Sequence, residues 1–196
     1  MIVGLTGGIG SGKTTVLNFF KEFKDIAVYI ADIEAKKLMN TSPIIRNKLI
    51  KAFGEEAFSE NSINRGYLSK VVFKDKQQLQ TLNNIVHPEV ANHFKEFVAI
   101  NKDKAYILYE NAILFETKNN LFCDYIITVF SSLEERISRI ILRDNTTREA
   151  VLDRMKNQLS DEKKIQQSHY IINNNTSLQT SKEAVHRIHN FLTQNH

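Results

Sequence analysis

A cluster of glycines near the amino terminus is the first candidate functional site in this sequence. Five of the seven glycines in the 196-residue chain lie in GLTGGIGSGKTT, residues 4 to 15. There, Gly7 is followed after four residues by Gly12-Lys13-Thr14, the spacing of a loop that binds phosphate groups. Bare backbone lets successive N–H groups turn toward a phosphate, and the positive end of a following helix adds to that field. The pattern therefore predicts a nucleoside triphosphate site.

The roles of individual loop residues follow from this pattern. The lysine of such a loop reaches the β- and γ-phosphates, and the next hydroxyl group ligates Mg²⁺. Lys13 is thus a predicted catalytic and binding residue, and Thr14 is the predicted metal ligand. A tight strand-to-helix turn with a chance lysine is the weaker alternative, because both the pattern and its context fit. The predicted binding residues of the loop are Gly8, Gly10, Ser11, Gly12, Lys13, Thr14 and Thr15.

The loop alone does not say what happens to the terminal phosphate, because switch GTPases, motor ATPases and small-molecule kinases all carry it. A guanine-reading Asn-Lys-x-Asp is missing, since NKDK at 101 to 104 has Lys104 in place of the aspartate. No aspartate stands three residues before a glycine, so the Asp-x-x-Gly that senses a γ-phosphate is missing as well. A GTPase is disfavoured. A kinase, and an ATPase or switch with a macromolecular partner, remain open.

Asp32 is the candidate for the acceptor side of a phosphoryl transfer. It follows the apolar run IAVYIA directly, which predicts a carboxylate at the carboxyl end of a strand neighbouring the loop. A carboxylate there orients a hydroxyl group and accepts its proton. The alternative is that Asp32 only caps a helix starting at Ile33, since aspartate is a favoured N-cap. The residues alone favour neither interpretation.

Strands and helices are predicted to alternate along the chain around these residues. Short runs rich in isoleucine, valine and tyrosine predict buried parallel strands: MIVGLT, IAVYIA, AYILY, YIITVF and, as a further candidate, YIIN. We therefore predict an α/β fold, an open parallel sheet of the P-loop NTPase type with helices on both faces. The predicted core covers residues 1–32, 101–135 and 165–196. A helical insertion without a convincing strand covers about 33–100, and a charged helical flap covers about 136–164.

The composition of the chain excludes several further classes of protein. An apolar fraction of 42% supports a substantial core, and a net charge of +4 is too small to indicate an extended nucleic-acid surface. The single cysteine, Cys123, excludes an intrachain disulfide, and no segment looks like a signal peptide or a membrane span. These features predict a cytoplasmic protein with no nucleic-acid or membrane partner, while its oligomeric state stays open.

Several motifs, taken in order, resemble the dephospho-coenzyme A kinase family over nearly the whole chain. They are GLTGGIGSGKT, YIAD, LNNIVHPEV, NAILFE, RIILRD, RMKNQ and YIINNN. The resemblance implies transfer of phosphate from ATP, with Mg²⁺, to the ribose 3′-hydroxyl of dephospho-coenzyme A. It also implies that the insertion binds the acceptor and that the flap is a lid. Two residues depart from the family pattern: Ile30 replaces an acid, and Ala112 replaces a proline.

Roles for further residues follow from this resemblance. Asp32 becomes the predicted base, while His87 and Glu116 are predicted on the acceptor side, with a structural contact as the alternative for Glu116. Three lid arginines are predicted to contact ATP, with Gln158 as a weaker companion and Arg139 also counted as catalytic. These arginines are Arg139, Arg143 and Arg154.

The remaining candidates have structural interpretations. Arg136 and Arg148 are predicted on a solvated helix face, and His186 and His189 on the exposed face of a terminal helix. Cys123 and the phenylalanines near it are predicted in the core. Proline restricts the residue before it, so His87-Pro88 is predicted to break a long helix.

Overall fold

The computed structural model describes residues 1–60, 62–175 and 177–194. The chain forms two compact units. The first contains Met1–Tyr29 and the chain from Asp103 onward, and the second is Ile30–Lys102. Each unit has its own buried apolar residues, so each is described by itself below.

Seven strands are present in the described residues. They are β1 (Ile2–Thr6), β2 (Ala27–Ile30), β3 (Phe58–Ser59), β4 (Ser62–Ile63), β5 (Ile107–Glu110), β6 (Tyr125–Phe130) and β7 (Tyr170–Asn173). Five of them form a parallel sheet in the order β2-β5-β1-β6-β7, and β3 pairs with β4 antiparallel. Every strand predicted from the apolar runs is therefore confirmed, including β7.

The central strands are buried on both faces. Val3 to Thr6 of β1 and Ile126 to Val129 of β6 are all buried, although consecutive side chains of a strand point to opposite faces. This burial requires helices on both sides of the sheet, as predicted. The order of the strands places β5 between β1 and β2.

Nine helices lie in the described residues. They are α1 (Lys13–Phe20), α2 (Ala31–Thr41), α3 (Pro43–Phe53), α4 (Arg65–Lys74), α5 (Lys76–Ile100), α6 (Leu133–Asp144), α7 (Arg148–Met155), α8 (Asp161–Gln166) and α9 (Leu178–Gln194). Short 3₁₀ turns cover Glu55–Ala57 and Asn119–Phe122. Local capping sets several starts: the Ser42, Asn64, Asp75, Thr147 and Ser160 side chains accept backbone N–H bonds at the first turns of α3, α4, α5, α7 and α8.

The second unit consists of α2 to α5 and the β3-β4 pair. Its core is an apolar cluster that includes Ile45 and Leu49 of α3, Leu68 of α4 and Val86 of α5. The sequence predicts the helices of this region but not the two-residue strands of β3 and β4. Strands this short have too few residues for an alternating pattern to stand out.

Helix α5 runs without interruption through Pro88, so the predicted break at His87-Pro88 is wrong. Proline removes one backbone donor, whereas Val86 and Phe94 bury apolar side chains on either side of it. Packing of a 25-residue helix outweighs that single loss. The His87 side chain itself is exposed, and partial desolvation lowers its pKa from the usual value.

Candidate active site

The glycine loop joins β1 to α1 at the carboxyl end of a central strand. Gly10 and Gly12 have φ angles of 81° and 88°, a left-handed conformation that residues with a Cβ avoid. The N–H of Ser11 donates to the Gly8 carbonyl at 3.1 Å, which closes the turn. Helix α1 then begins at Lys13, so the loop backbone leads directly into a helix N-terminus. That is the arrangement in which backbone N–H groups bind phosphate.

The bare backbone of the loop also serves packing within the protein. A Cβ at Gly8 would overlap the Arg136 guanidinium, and a Cβ at Gly12 would overlap Nδ2 of Asn174. Real Cβ atoms do not approach other atoms so closely. Part of the glycine content of the loop is therefore explained by its protein neighbours and not by a ligand.

Lys13 is held against the loop by backbone oxygens. Its Nζ donates to the Gly7 carbonyl at 2.8 Å. Burial lowers the pKa of Lys13 to about 8; the carboxylate of Glu110 opposes that shift, and neighbouring cations such as Lys164 and Arg136 add to it. An anion bound beside Lys13 would favour its charged form, because opposite charges stabilise one another in a desolvated site.

Hydroxyl groups surround the same backbone. Thr14 is exposed in the first turn of α1. Within the described residues, the buried Oγ of Ser11 and Oγ1 of Thr6 have no hydrogen-bond partner. No group of three or more His, Cys, Asp or Glu side chains in that part of the chain could hold a metal. Mg²⁺ usually keeps several waters and takes one or two protein oxygens together with phosphate oxygens, and the Thr14 hydroxyl is an oxygen ligand of that kind.

Asn174 connects the loop to the end of β7 and to α9. Its Nδ2 donates to the Ser11 carbonyl at 3.0 Å, and its Oδ1 accepts from the Ser181 hydroxyl at 3.0 Å. Its own carbonyl accepts from Nη2 of Arg139 at 3.0 Å, and Nη1 of Arg139 donates to Ser131. Arg139 therefore lies beside the loop. The sequence did not single out Asn174, because its partners are remote in the chain.

Arg136 is buried, so the prediction of a solvated helix face is wrong. The residue is 5% exposed, its Nε donates to the Ile9 carbonyl at 2.8 Å, and its Nη1 pairs with Asp161. The charge pattern of α6 could not show this, since Ile9 lies 127 positions earlier in the chain. Arg148 is exposed as predicted and pairs with Glu134 at 2.7 Å.

Arg143 and Arg154 share one carboxylate. Nε of Arg143 and Nη1 of Arg154 each lie 2.7 Å from Asp144, and both arginine side chains are exposed. Hydrogen bonds, first from Arg143 and then from Arg154, lower the pKa of Asp144 to about 2. The Asp144 carboxylate therefore stays ionised throughout the physiological pH range.

Glu116 lies against a fully buried lysine. Its Oε1 is 3.1 Å from Nζ of Lys164 and accepts the N–H of Leu159 at 2.7 Å. Lys164 is 0% exposed and also donates to the Ala112 carbonyl. These hydrogen bonds and the lysine charge lower the pKa of Glu116 although burial opposes the shift. The sequence does not predict the burial of Lys164, because it lies in a short helix whose charged residues are typical of an exposed surface.

Asp32 is the second residue of α2 in the second unit. The helix begins at Ala31 and Asp32 makes no capping bond, so the alternative that Asp32 caps a helix starting at Ile33 is wrong. Its carboxylate is 73% exposed and lies 2.6 Å from Nζ of Lys36. In an exposed position such a pair holds the carboxylate only weakly.

Two other structural predictions need correction. His189 is buried, with its ring stacked on Phe23 and its Nδ1 3.0 Å from the Tyr106 hydroxyl, although His186 is exposed as predicted. Near Cys123, Phe115 is buried but Phe122 is 41% exposed. The Cys123 thiol is partly buried, and that burial raises its pKa to about 12.

The parallel sheet, the glycine loop after β1 and the loop lysine together define a P-loop kinase fold. A model of the dephospho-CoA kinase family matches residues 1–180. A dephospho-CoA kinase from Fusobacterium nucleatum is 39% identical over 95% of this chain and 96% of its own length. One from Salinibacter ruber is 36% identical over 90% and 89%. The chain belongs to the dephospho-CoA kinase family, and it is an enzyme, a kinase.

Solved structures agree on the fold. A protein from Thermus thermophilus has a TM-score of 0.85 at 28% identity, covering 98% of both chains. Dephospho-CoA kinase from Campylobacter jejuni has a TM-score of 0.74 at 23% identity, covering 99% of this chain and 98% of that one. In the described part of the present chain, no helix is both long and apolar enough to cross a membrane.

Proposed function

We propose that this enzyme transfers the γ-phosphoryl group of ATP to the ribose 3′-hydroxyl of dephospho-coenzyme A. The products are coenzyme A and ADP, and the reaction completes coenzyme A biosynthesis. The observation that carries the proposal is the family match over residues 1–180, which includes the loop with Lys13. Both substrates are small and water-soluble, and we propose that the enzyme acts in the cytoplasm without a nucleic-acid or membrane partner.

The glycine loop holds the donor. The predicted binding residues Gly8, Gly10 and Ser11 to Thr15 surround the phosphates, and Lys13 contacts the β- and γ-oxygens. The left-handed glycines and the start of α1 at Lys13 support this role. The exposed Thr14 hydroxyl would hold Mg²⁺. When bound, Mg²⁺ offsets the negative charge on the phosphate oxygens.

Arginines of the lid, residues 136–164, stabilise the charge that develops during transfer. Arg139 already lies beside the loop through Asn174 and Ser131, which supports a direct catalytic role. Arg143 and Arg154 are exposed and exchange Asp144 for ATP phosphates. Guanidinium groups suit this task because their planar donors match phosphate oxygens.

Residues of the second unit bind and activate the acceptor. Asp32 orients the 3′-hydroxyl and accepts its proton, a role supported by its exposed carboxylate. His87, exposed on α5, contacts the acceptor. For Glu116, the contacts with Lys164 and Leu159 support the structural alternative over a substrate contact.

A phosphoryl-transfer assay tests the proposed activity. The purified enzyme is incubated with MgATP in a series of separate reactions. Each reaction contains one addition: dephospho-coenzyme A, adenosine, shikimate or RNA. ADP release and the mass of the product are measured in each. We expect one phosphate to be added to dephospho-coenzyme A and little ADP with the other additions. ADP release that RNA stimulates and dephospho-coenzyme A does not would overturn the assignment.

Substitution of Asp32 tests the proposed base. Asp32→Asn should lower kcat about 10²- to 10⁴-fold, because the amide cannot take the hydroxyl proton, and ATP affinity should stay unchanged. Glu22→Gln is the matched control, since Glu22 is likewise exposed and paired with a lysine, Lys182, at 2.7 Å. Near-normal turnover of Asp32→Asn would remove Asp32 from the mechanism.

A further inference from the structure

The peptide groups of Ile9, at the tip of the glycine loop, are bonded to two side chains of the lid. The Ile9 carbonyl accepts from Nε of Arg136 at 2.8 Å, and the Ile9 N–H donates to Oε1 of Gln158 at 2.8 Å. The Ile9 side chain packs against the apolar cluster of Ile137, Ile140 and Val151. The loop tip is therefore attached to the lid through its donor, its acceptor and its side chain.

The Arg136 side chain is buried between the glycine loop and the start of α8. Its side chain is 6% exposed, and its guanidinium fills the space that the missing side chain of Gly8 leaves. One edge of the guanidinium reaches Ile9, while another pairs with Asp161 at the start of α8. A buried charge that is both paired and hydrogen-bonded avoids the cost of an unpaired one, so this arrangement is stable only with all partners present.

We infer that Arg136 and Gln158 are positioning residues, which act through the Ile9 peptide to hold the loop in the shape that receives the triphosphate. The inference rests on the proposed function for its nucleotide. Loop N–H groups converge on phosphate oxygens only when the backbone between Gly7 and Gly12 is fixed, and a free tip would have to be ordered at each binding event. Neither side chain needs to contact ATP for this effect.

The two partners of Ile9 make the inference testable with conservative variants. Gln158→Met keeps the length of the side chain but removes the acceptor of the Ile9 N–H. Gln158→Glu keeps an acceptor oxygen in the same place. Arg136→Lys keeps the charge facing Asp161 but has one compact donor group, which cannot reproduce a fork that reaches Ile9 and Asp161 together.

Calorimetric titration with MgATP, without any acceptor, measures the effect. We expect Gln158→Met to weaken ATP binding about fivefold, and Arg136→Lys about tenfold or more. Gln158→Glu should stay within about twofold of the unmodified enzyme, because its carboxylate still accepts the N–H. In steady-state assays the KM for ATP should rise by similar factors, while the KM for dephospho-coenzyme A stays the same.

The matched control is Arg148→Lys, which alters an exposed arginine of the same segment and should leave ATP binding unchanged. Native ATP affinity in both Gln158→Met and Arg136→Lys would overturn the inference. Equal losses of ATP affinity in Gln158→Met and Gln158→Glu would also overturn the inference. If Arg136→Lys fails to fold, the comparison of Gln158→Met with Gln158→Glu still tests the inference. Because no acceptor is present in the titration, a wrong acceptor assignment would leave this result unaffected.

Discussion

Cations beside the glycine loop differ from those at the outer end of the lid. We call the first group the inner cations: Lys13, Arg136, Arg139 and Lys164. Each of them donates to a backbone carbonyl, of Gly7, Ile9, Asn174 or Ala112. We call the second group the outer arginines, Arg143, Arg148 and Arg154, which are exposed and pair with the carboxylates of Asp144 or Glu134.

This difference separates fixed charges from exchangeable ones. Arg136 and Lys164 are buried, and such a cation cannot leave its backbone partner without a large desolvation cost, so it shapes the site before a ligand arrives. An exposed arginine loses little when it changes partner, because exposed ion pairs contribute little free energy. Within this one segment, Arg136 can therefore serve structure, while Arg143 and Arg154 can exchange their shared carboxylate for a ligand.

Removal of the loop lysine should give the largest effect. We expect Lys13→Met to lower kcat/KM about 10²- to 10³-fold, because a preorganised charge on the transferred phosphoryl group is lost. The transfer assay with dephospho-coenzyme A measures it. Lys182→Met, which alters a partly exposed lysine paired with Glu22, should leave kcat/KM unchanged. If Lys13→Met kept most of its activity, this inner cation would have no role in transfer.

Breaking the pair between Glu116 and Lys164 should destabilise the fold next most strongly. Glu116→Leu leaves the Lys164 ammonium buried without its carboxylate, and we expect the free energy of unfolding to fall by about 3 kcal/mol in urea titrations. The double variant Glu116→Leu with Lys164→Met should regain most of it. Glu134→Gln, which breaks an exposed pair of an outer arginine, should produce no resolvable change. Equal losses of unfolding free energy in Glu116→Leu and Glu134→Gln would contradict the distinction between inner cations and outer arginines.

The pKa of Lys13 predicts how ATP affinity depends on pH. Since its pKa is lowered to about 8, Lys13 is protonated below that pH and loses its charge as the pH rises through it. ATP binding should weaken above pH 8, with a slope approaching about tenfold per unit, and should take up a proton there. Calorimetry in buffers of different ionisation enthalpy measures both. Lys13→Arg, whose guanidinium stays charged, should give a flat profile, and a flat profile in the unmodified enzyme would exclude Lys13 as the source.

The smallest effect should come from the carboxylate shared by the outer arginines. Asp144→Asn frees Arg143 and Arg154 for ATP phosphates, so we expect the KM for ATP to fall by no more than about fivefold at low salt. The difference should vanish as ionic strength rises, because these groups are exposed. A higher KM for ATP would instead mean that Asp144 holds the arginines in their binding positions.

Local patterns in the sequence predicted most of the fold correctly. The apolar runs identified every strand of the parallel sheet, because buried strands need continuous apolar residues. The glycine spacing identified the loop, and its left-handed Gly10 and Gly12 agree with that prediction. Most of the errors concern residues whose surroundings are set by distant parts of the chain.

Arg136 and His189 illustrate why those errors arise. Each lies on a helix whose charged pattern is typical of solvated faces, yet each is buried. Their partners, Ile9 and Tyr106, lie 127 and 83 positions away. Helical periodicity carries no information about contacts at such separations. The Pro88 error has another cause, since the rule that proline ends a helix omits the packing energy of the surrounding turns.

The contact between Gly12 and Asn174 links how these two positions can evolve. Any side chain at residue 12 would overlap the Asn174 amide, and the left-handed backbone there excludes other residues independently. Asn174 in turn depends on Ser181 of α9, which lies just past the region that the family model matches. A substitution at Ser181 in that last helix would therefore disturb the glycine loop near the opposite end of the chain.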